Sequence, residues 1–262
     1  RDATHLLGLD TFQVQDAIAA ELGKQEHDVS VFSVGPAGEH GVRFAMIAGD
    51  RGHVAAHNGA GAVMGSKRVK AIVAARSPRT FPLADPAKLA EAARQMMEAL
   101  LADPRGRAAF EWGTSLLFSK YGPAGVLPVR NYTTSIFPEA MDFLGDKYRP
   151  AFDAKPSRCW ACPSNHHQSL TIPSGPFAGY KAQEPEYEQW ASCGPQLGNT
   201  DVASAVVIAD EIDRIGMDVN ETSWTIGWVM ECYEKGILSR EDTGGLEMTW
   251  GNVEAIRAMV HK

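Results

Sequence analysis

The sequence predicts an α+β protein, with a β-containing segment over residues 1–76, a linker over 77–86 and a mostly helical region over 87–262. Three observations predict this. Val29-Ser-Val-Phe-Ser-Val34 alternates along a β-branched run, as a half-buried strand does. From Pro86 onward apolar residues recur at helical spacing. Between the two lies Ser77-Pro-Arg-Thr-Phe-Pro-Leu-Ala-Asp85, a stretch with linker composition.

Asp10-Thr-Phe-Gln13 matches a capping box, and Val14, Ala17, Ile18 and Leu22 continue on one helical face until Gly23. After the strand at 29–34, Gly35-Pro-Ala-Gly38 and the apolar run Val42–Ala48 predict a hairpin. A glycine-rich stretch over 49–67 leads to a short strand at 70–74. Asp85 and Pro86 are a cap and first residue for a helix through Leu101, with Leu89, Ala93, Met96 and Leu100 on one face. Residues 121–200 read as loop-rich. Helices follow over 200–215, stopped by Gly216, and over 221–235, with Asn220 as cap. Asn252 caps a last helix whose apolar face is Val253, Ile256, Met259 and Val260. The chain opens on Arg1 and this helix meets no stop, which predicts a piece of a longer polypeptide.

Hydrophobic residues make up 44% and charged residues 22%, as in ordinary globular proteins. The net charge of −7 argues against a nucleic-acid or anionic-membrane binder. No run approaches a membrane span, and the N-terminus has no signal pattern. Four cysteines are too few and too unevenly spaced for a disulfide framework, so a reducing cytoplasmic setting is expected.

Arg158-Cys-Trp-Ala-Cys-Pro-Ser-Asn-His166-His167 concentrates the soft and borderline ligands. Two thiolates a turn apart beside imidazoles suit Zn²⁺ or an iron–sulfur cluster. Cys193 and Cys232 sit in apolar surroundings and read as packing residues, while His5, His27, His40, His53 and His261 carry no pattern and read as surface. The acidic Glu184-Pro-Glu-Tyr-Glu188 would, in isolation, be a solvated loop. Asn58-Gly-Ala-Gly-Ala-Val-Met-Gly-Ser-Lys67 places three glycines near a cation. It is not a P-loop, because the Gly-Lys-Ser order is reversed, nor a dinucleotide fingerprint, because a strand follows too soon. Either an anion nest or a glycine turn that packs a helix against a sheet would account for it.

Taken in order, several motifs resemble the tungsten-containing aldehyde ferredoxin oxidoreductase family. They are Leu7-Gly-Leu-Asp-Thr11, Gly35-Pro-Ala-Gly-Glu-His-Gly-Val-Arg-Phe-Ala45, Gly59–Lys67 with Lys70-Ala-Ile72, Cys159-x-x-Cys162-Pro163, Gly175-Pro-Phe-Ala-Gly179, Glu184–Glu188, Asp213-x-x-Gly-Met-Asp218 and Gly236–Asp242. The resemblance implies the end of a β-rich, pterin-binding N-terminal domain followed by the first part of the helical domains. It also implies that the rest of the base domain, the last cluster cysteine, a second D-x-x-G motif and the active-site histidine lie outside this stretch.

The implied cofactors are a tungsten held by two pterins, Mg²⁺ bridging the pterin phosphates, and a [4Fe–4S] cluster. The implied reaction oxidises an aldehyde to a carboxylic acid and passes electrons to ferredoxin or a partner subunit; a homodimer is compatible with it. Carried over by position, Ala55, Ala56, His57, Asn58 and Gly59 would face the phosphates. Asp213, Gly216, Met217 and Asp218 would contact a pterin, where a carboxylate can accept paired hydrogen bonds. Cys159, Cys162 and His166 would ligate the cluster, and Glu188, with Glu186 as runner-up, would handle the proton or the water.

Two departures mark a divergent member. His166 stands where the family pattern has a third cysteine, so a cluster of altered potential is expected first, a zinc site second and an unoccupied loop third, with His167 able to substitute for His166. Val54-Ala-Ala-His-Asn-Gly59 lacks the two arginines usual in the phosphate loop, which shifts the expected anion contacts to backbone amides. The alternatives are a tungsten enzyme that reduces an aromatic acyl thioester and a zinc-stabilised non-catalytic relative.

Overall fold

The computed structural model describes residues 1–77, 81–157, 159, 162, 164 and 166–262. Residues 78–80 of the expected linker, and Arg158 and Pro163 of the cysteine motif, lie outside the described residues.

Helix α1 (Thr11–Glu21) starts as expected, with the Asp10 carboxylate accepting from the Phe12 and Gln13 amides. It packs on strand β1 (Val29–Ser33) through a small core of Leu6, Val14, Ile18, Val29 and Val31. The expected hairpin is half right. β1 does pair antiparallel with the next strand, β2 (Ile47–Gly49), in the register Phe32↔Gly49. The connection, however, is the short helix α2 (Pro36–Glu39) and an irregular stretch, not a tight turn. Pro36 stands at N1, where a fixed φ favours helix initiation. Strands β3 (His53–Ala55) and β4 (Ala71–Ala75) complete an antiparallel sheet in the order β3-β2-β1-β4.

Between them runs α3 (Ala60–Ser66), which rests on glycines. A Cβ on Gly61 would stand 2.3 Å from the Met46 carbonyl oxygen, and one on Gly65 would stand 1.9 Å from that of Gly38. The glycine motif therefore lets backbone meet backbone. Gly61→Ala is expected to destabilise the protein by about 1–3 kcal/mol, because a carbonyl cannot rotate away as a side chain can. An unchanged urea midpoint would show that this contact is not a close one.

Helix α4 (Pro86–Ala102) is capped by Asp85 as expected, but it contains no buried residue. Leu89 and Met96 are 54% and 72% exposed, so its apolar face does not join the core of this chain. Helices α5 (Pro104–Trp112), α6 (Phe118–Ala124) and α7 (Gly145–Ala151) follow. The region read as loop-rich holds a second antiparallel sheet, β5 (Asp153–Pro156), β6 (Gln168–Thr171) and β7 (Lys181–Gln183). The cysteine motif is the excursion between β5 and β6.

Helices α8 (Tyr187–Cys193), α9 (Val202–Ile215), α10 (Val219–Glu234) and α11 (Val253–Val260) build the main core. Trp190, Phe143 and Phe118 form its aromatic centre, with Phe118 stacked on Phe143 at 5.4 Å and Trp190 edge-on at 5.8 Å. Cys193 and Cys232 are buried, as expected of packing residues. Among the described residues no helix is long and apolar enough to cross a membrane.

The turn between α9 and α10 stitches the two segments together. Gly216 takes φ 86°, and its carbonyl accepts from the Met46 amide at 2.9 Å. Met217 bridges Ala45, and the Asp218 amide donates to the Phe44 carbonyl at 2.9 Å. The cap of α10 is Asp218, two residues earlier than expected, since its carboxylate accepts from the Asn220 and Glu221 amides.

Candidate active site

A cavity of about 270 Å³ lies where β3 of the first segment meets β7, α8 and α9 of the second. Its polar wall includes His53, His167, Gln183, Glu186 and Asp213, with Cys159 at the edge.

Asp213 projects from the last turn of α9 and is 8% exposed. Burial, with no cation to offset it, pushes its carboxyl up to about 8. Asp213 is therefore a neutral acid at pH 7, able to donate a hydrogen bond. Among the described residues its one side-chain partner is Gln189, whose amide nitrogen donates to Oδ2 at 2.9 Å. The amide oxygen of the same Gln189 accepts from the Glu186 backbone at 3.0 Å. The raised value also has a consequence for stability. Between the unfolded value near 3.8 and about 8, the folded state keeps a proton that the unfolded state has lost. Stability is therefore highest below pH 4 as far as this group is concerned, and falls as pH rises to about 8. Asp213→Asn is expected to flatten that slope in urea titrations between pH 5 and 8; an unaltered slope would contradict it.

Glu186 caps α8. One carboxylate oxygen accepts from the Thr114 hydroxyl, and the other lies 3.2 Å from His166 Nε2. Glu188, two residues on and on a different side of the helix, is exposed and does not border the cavity. Behind Glu186 is a buried ion pair. Arg149 donates to both oxygens of Glu184, at 2.6 and 2.7 Å, and Tyr148 donates to the same carboxylate at 2.7 Å. Arg149 also donates to the His166 carbonyl at 2.7 Å, which fixes the end of the cysteine excursion. His167 Nε2 lies 3.1 Å from the Glu184 carbonyl, and burial lowers the pKa of its ring.

The expected metal ligands do not come together. Burial foremost, then the neighbouring Cys162 and Glu186, raises the pKa of the Cys159 thiol. Cys162 donates to the Ser164 carbonyl at 3.3 Å, and His166 is turned to Glu186. Among the described residues no three His, Cys, Asp or Glu side chains form a metal-ligating group.

The expected phosphate loop is exposed at Ala55, His57 and Asn58, half-buried at Ala56 and buried at Gly59. His57, Asn58 and Gly59 are all left-handed, with φ 58°, 58° and 67°. Two of these are not glycine, so an outside contact must hold them. Asp218 supplies it. Its Oδ2 accepts from the His57 amide at 2.8 Å and lies 2.9 Å from His57 Nδ1. With its Oδ1 taken by the two cap amides, at 2.9 and 3.0 Å, this 1%-exposed carboxylate faces the loop and not the cavity. The expected pterin motif is thus divided: Asp213 borders the cavity, while Gly216, Met217 and Asp218 form the joint beside it.

Several cavity groups had no signal in the sequence. His53, read as a surface residue, is half-buried on the wall. Gln183 ends a strand, and Arg149, behind the wall, lies in a helix, neither of which periodicity marks. Gln189 could have been found as the residue three after Glu186, the spacing of a capping box.

The N-terminal domain of aldehyde ferredoxin oxidoreductase matches residues 1–76, and domains 2 and 3 of the same enzyme match residues 91–262. The chain belongs to the aldehyde ferredoxin oxidoreductase family. Over its whole length it is 33% identical to the tungsten-containing aldehyde ferredoxin oxidoreductase of Pyrococcus furiosus and 34% identical to that of Thermococcus kodakarensis, and it spans 42% of each. It is 27% identical to the WOR-like subunit of an aliphatic sulfonate oxidoreductase of Pyrococcus furiosus, of which it spans 43%. The fold is also that of the BamBC active-site complex of benzoyl coenzyme A reductase. The TM-score is 0.70 at 20% identity, over 99% of this chain and 40% of the other.

Within this family the α+β architecture has a base segment before the helices. The cavity also fits part of a pterin. The Gln183 amide oxygen is buried without a hydrogen-bond partner among the described residues, and burial favours the protonated form of Asp213. One acceptor and one donor on the same wall suit the amide and amino edge of such a heterocycle. Among the described residues Cys159, Cys162 and His166 are not grouped as a ligand set.

Proposed function

We propose that the cavity is part of the active site of a tungsten-pterin oxidoreductase that oxidises an aldehyde to the carboxylic acid. Family membership and the fit of Gln183 and Asp213 to a pterin edge support this, and the carrying observation is the carboxylate of Glu186 on the same wall. The bound tungstopterin would supply the two-electron redox chemistry. This chain would orient it. Asp213 would donate and Gln183 accept at the pterin edge, and the exposed loop Ala55–Asn58 would meet the phosphates and their Mg²⁺. Oxidation of an aldehyde with water releases two protons and two electrons. Glu186, held by Thr114 and His166, is the group suited to take a proton, and its border position favours it over Glu188 for that role. Electrons would pass to ferredoxin or a partner subunit.

Aldehyde-dependent reduction of a viologen dye by the full-length protein tests the proposal. Turnover is expected, with kcat reduced about 10²-fold or more in Glu186→Gln and little altered in Glu188→Gln. Turnover of an acyl thioester with none of any aldehyde would overturn the substrate class. A loss confined to Glu188→Gln would overturn the role of Glu186.

A further inference from the structure

We propose that the open edge of β4 receives a further strand of the same polypeptide, from a part of the N-terminal domain that precedes Arg1. β4 is Ala71-Ile-Val-Ala-Ala75, five apolar residues with neither charge nor proline. An apolar run on both faces is the pattern of a strand enclosed within a sheet. In the fold β4 is instead an edge. Among the described residues it pairs with β1 alone, in an unbroken register from Val29↔Ala75 to Ser33↔Ala71.

The open row of backbone groups is defined residue by residue. The Val34 amide donates to the Lys70 carbonyl at 3.0 Å, and the Arg76 amide donates to the Asp28 carbonyl at 2.7 Å. In an antiparallel ladder the pairs that exchange hydrogen bonds alternate with pairs that do not. Ile72 and Ala74 therefore face β1, as Lys70 and Arg76 do, while Ala71, Val73 and Ala75 turn their N–H and C=O groups outward. A strand laid alongside satisfies such a row at every second residue, which a helix face cannot do.

Natural sheets guard an edge with charge, proline, a bulge or brevity. The opposite edge, β3, is only three residues long. β4 has none of these devices. The flanking Lys70 is 6% exposed and donates inward to the Leu9 and Val34 carbonyls at 3.0 and 2.7 Å, so its charge does not guard the edge. Arg76 lies past the end of the strand. The side chains agree with the backbone. Ile72 and Val73, on opposite faces, are 61% and 40% exposed, and Phe32, paired with Ile72, is 39% exposed. Apolar surface left open on both faces of one strand calls for a cover that continues the sheet.

The domain boundary points to the occupant. Residues 1–76 match the N-terminal domain of the family, and residues 91–262 match its domains 2 and 3. β4 is thus the last element of the first domain, and a further strand of that domain would come before Arg1. The relatives have the length for it, since this chain spans 42% of each.

Hydrogen exchange in the full-length protein, resolved to single amides over residues 69–77, tests the pairing. Ala71, Val73 and Ala75 are expected to exchange as slowly as Ile72 and Ala74, within about tenfold. Fast exchange at 71, 73 and 75 beside slow exchange at 72 and 74 would mark a free edge and overturn the proposal. The occupant is identified by cross-linking from the thiol of full-length Val73→Cys, with Ala75→Cys as a second variant should the first fail to fold. Links to residues of the same chain that precede Arg1 are expected. Links between two copies, to a different protein or to the helical domains would overturn it. Both measurements stand whether or not the protein turns over an aldehyde.

Discussion

Arg149→Met is expected to cost about 3–5 kcal/mol of folding stability, because it strands a buried carboxylate. Arg149 and Glu184 are 9% and 5% exposed at their side chains, and they meet in a two-pronged contact at 2.6 and 2.7 Å. The guanidinium also ties down the carbonyls of Glu111 and His166, so its loss frees the end of the cysteine excursion. The pair replaced together, Arg149→Met with Glu184→Met, should cost less than Arg149→Met alone, since no bare charge is left in the interior. Urea midpoints of the two variants decide the matter. A double variant less stable than the single one would contradict a penalty from the stranded charge.

Asp218→Ala is expected to cost about 1–3 kcal/mol, from the lost helix cap at about 1 kcal/mol and the partly buried His57 amide left without its partner. Its carboxylate answers the amides of His57, Asn220 and Glu221 and the His57 ring at once. The stability change should come with faster hydrogen exchange at His57 and Asn58, whose left-handed backbone has no other side-chain anchor of this kind among the described residues. Asp218→Asn should fall between wild type and alanine. Asparagine still caps a helix well, but one of its two arms is a donor and cannot accept from His57. An alanine variant with wild-type exchange at residues 57–58 would show that the loop is held by something else.

What could be read from the sequence was local. Asp10 with Gln13, Asp85 with Pro86, Asn252 and Gly216 each mark a helix end by chemistry contained within a few residues, and all four do so in the fold. The strand at 29–33 was legible because β-branched residues alternate there, and its partner at 71–75 was read as a short strand over 70–74. Strands β5 to β7 were not, since Asp-Ala-Lys-Pro, Gln-Ser-Leu-Thr and Lys-Ala-Gln are short and polar and exist through pairing across long excursions. Asp218 and Asn220 are both good caps. The choice between them was made by His57, which lies 161 residues away in the chain.

The candidate site was legible in its ingredients but not in their division of labour. The motif resemblance drew attention to Glu186 and Glu188 together, and two residues at the start of a helix point in different directions, so only one borders the cavity. It likewise drew attention to Asp213 and Asp218, of which one meets the cavity and the other holds the loop beside it. His53 and Gln183 join the wall only because β3 and β7 are brought face to face by tertiary contacts, for which no short spacing stands as a signal.

Metal and pterin analysis of the full-length protein tests the central claim most directly. Tungsten is expected together with pterin, both retained through purification and both diminished in Asp218→Ala, which loosens the phosphate loop. Zinc without tungsten, or tungsten-free protein without pterin that is fully folded, would contradict it.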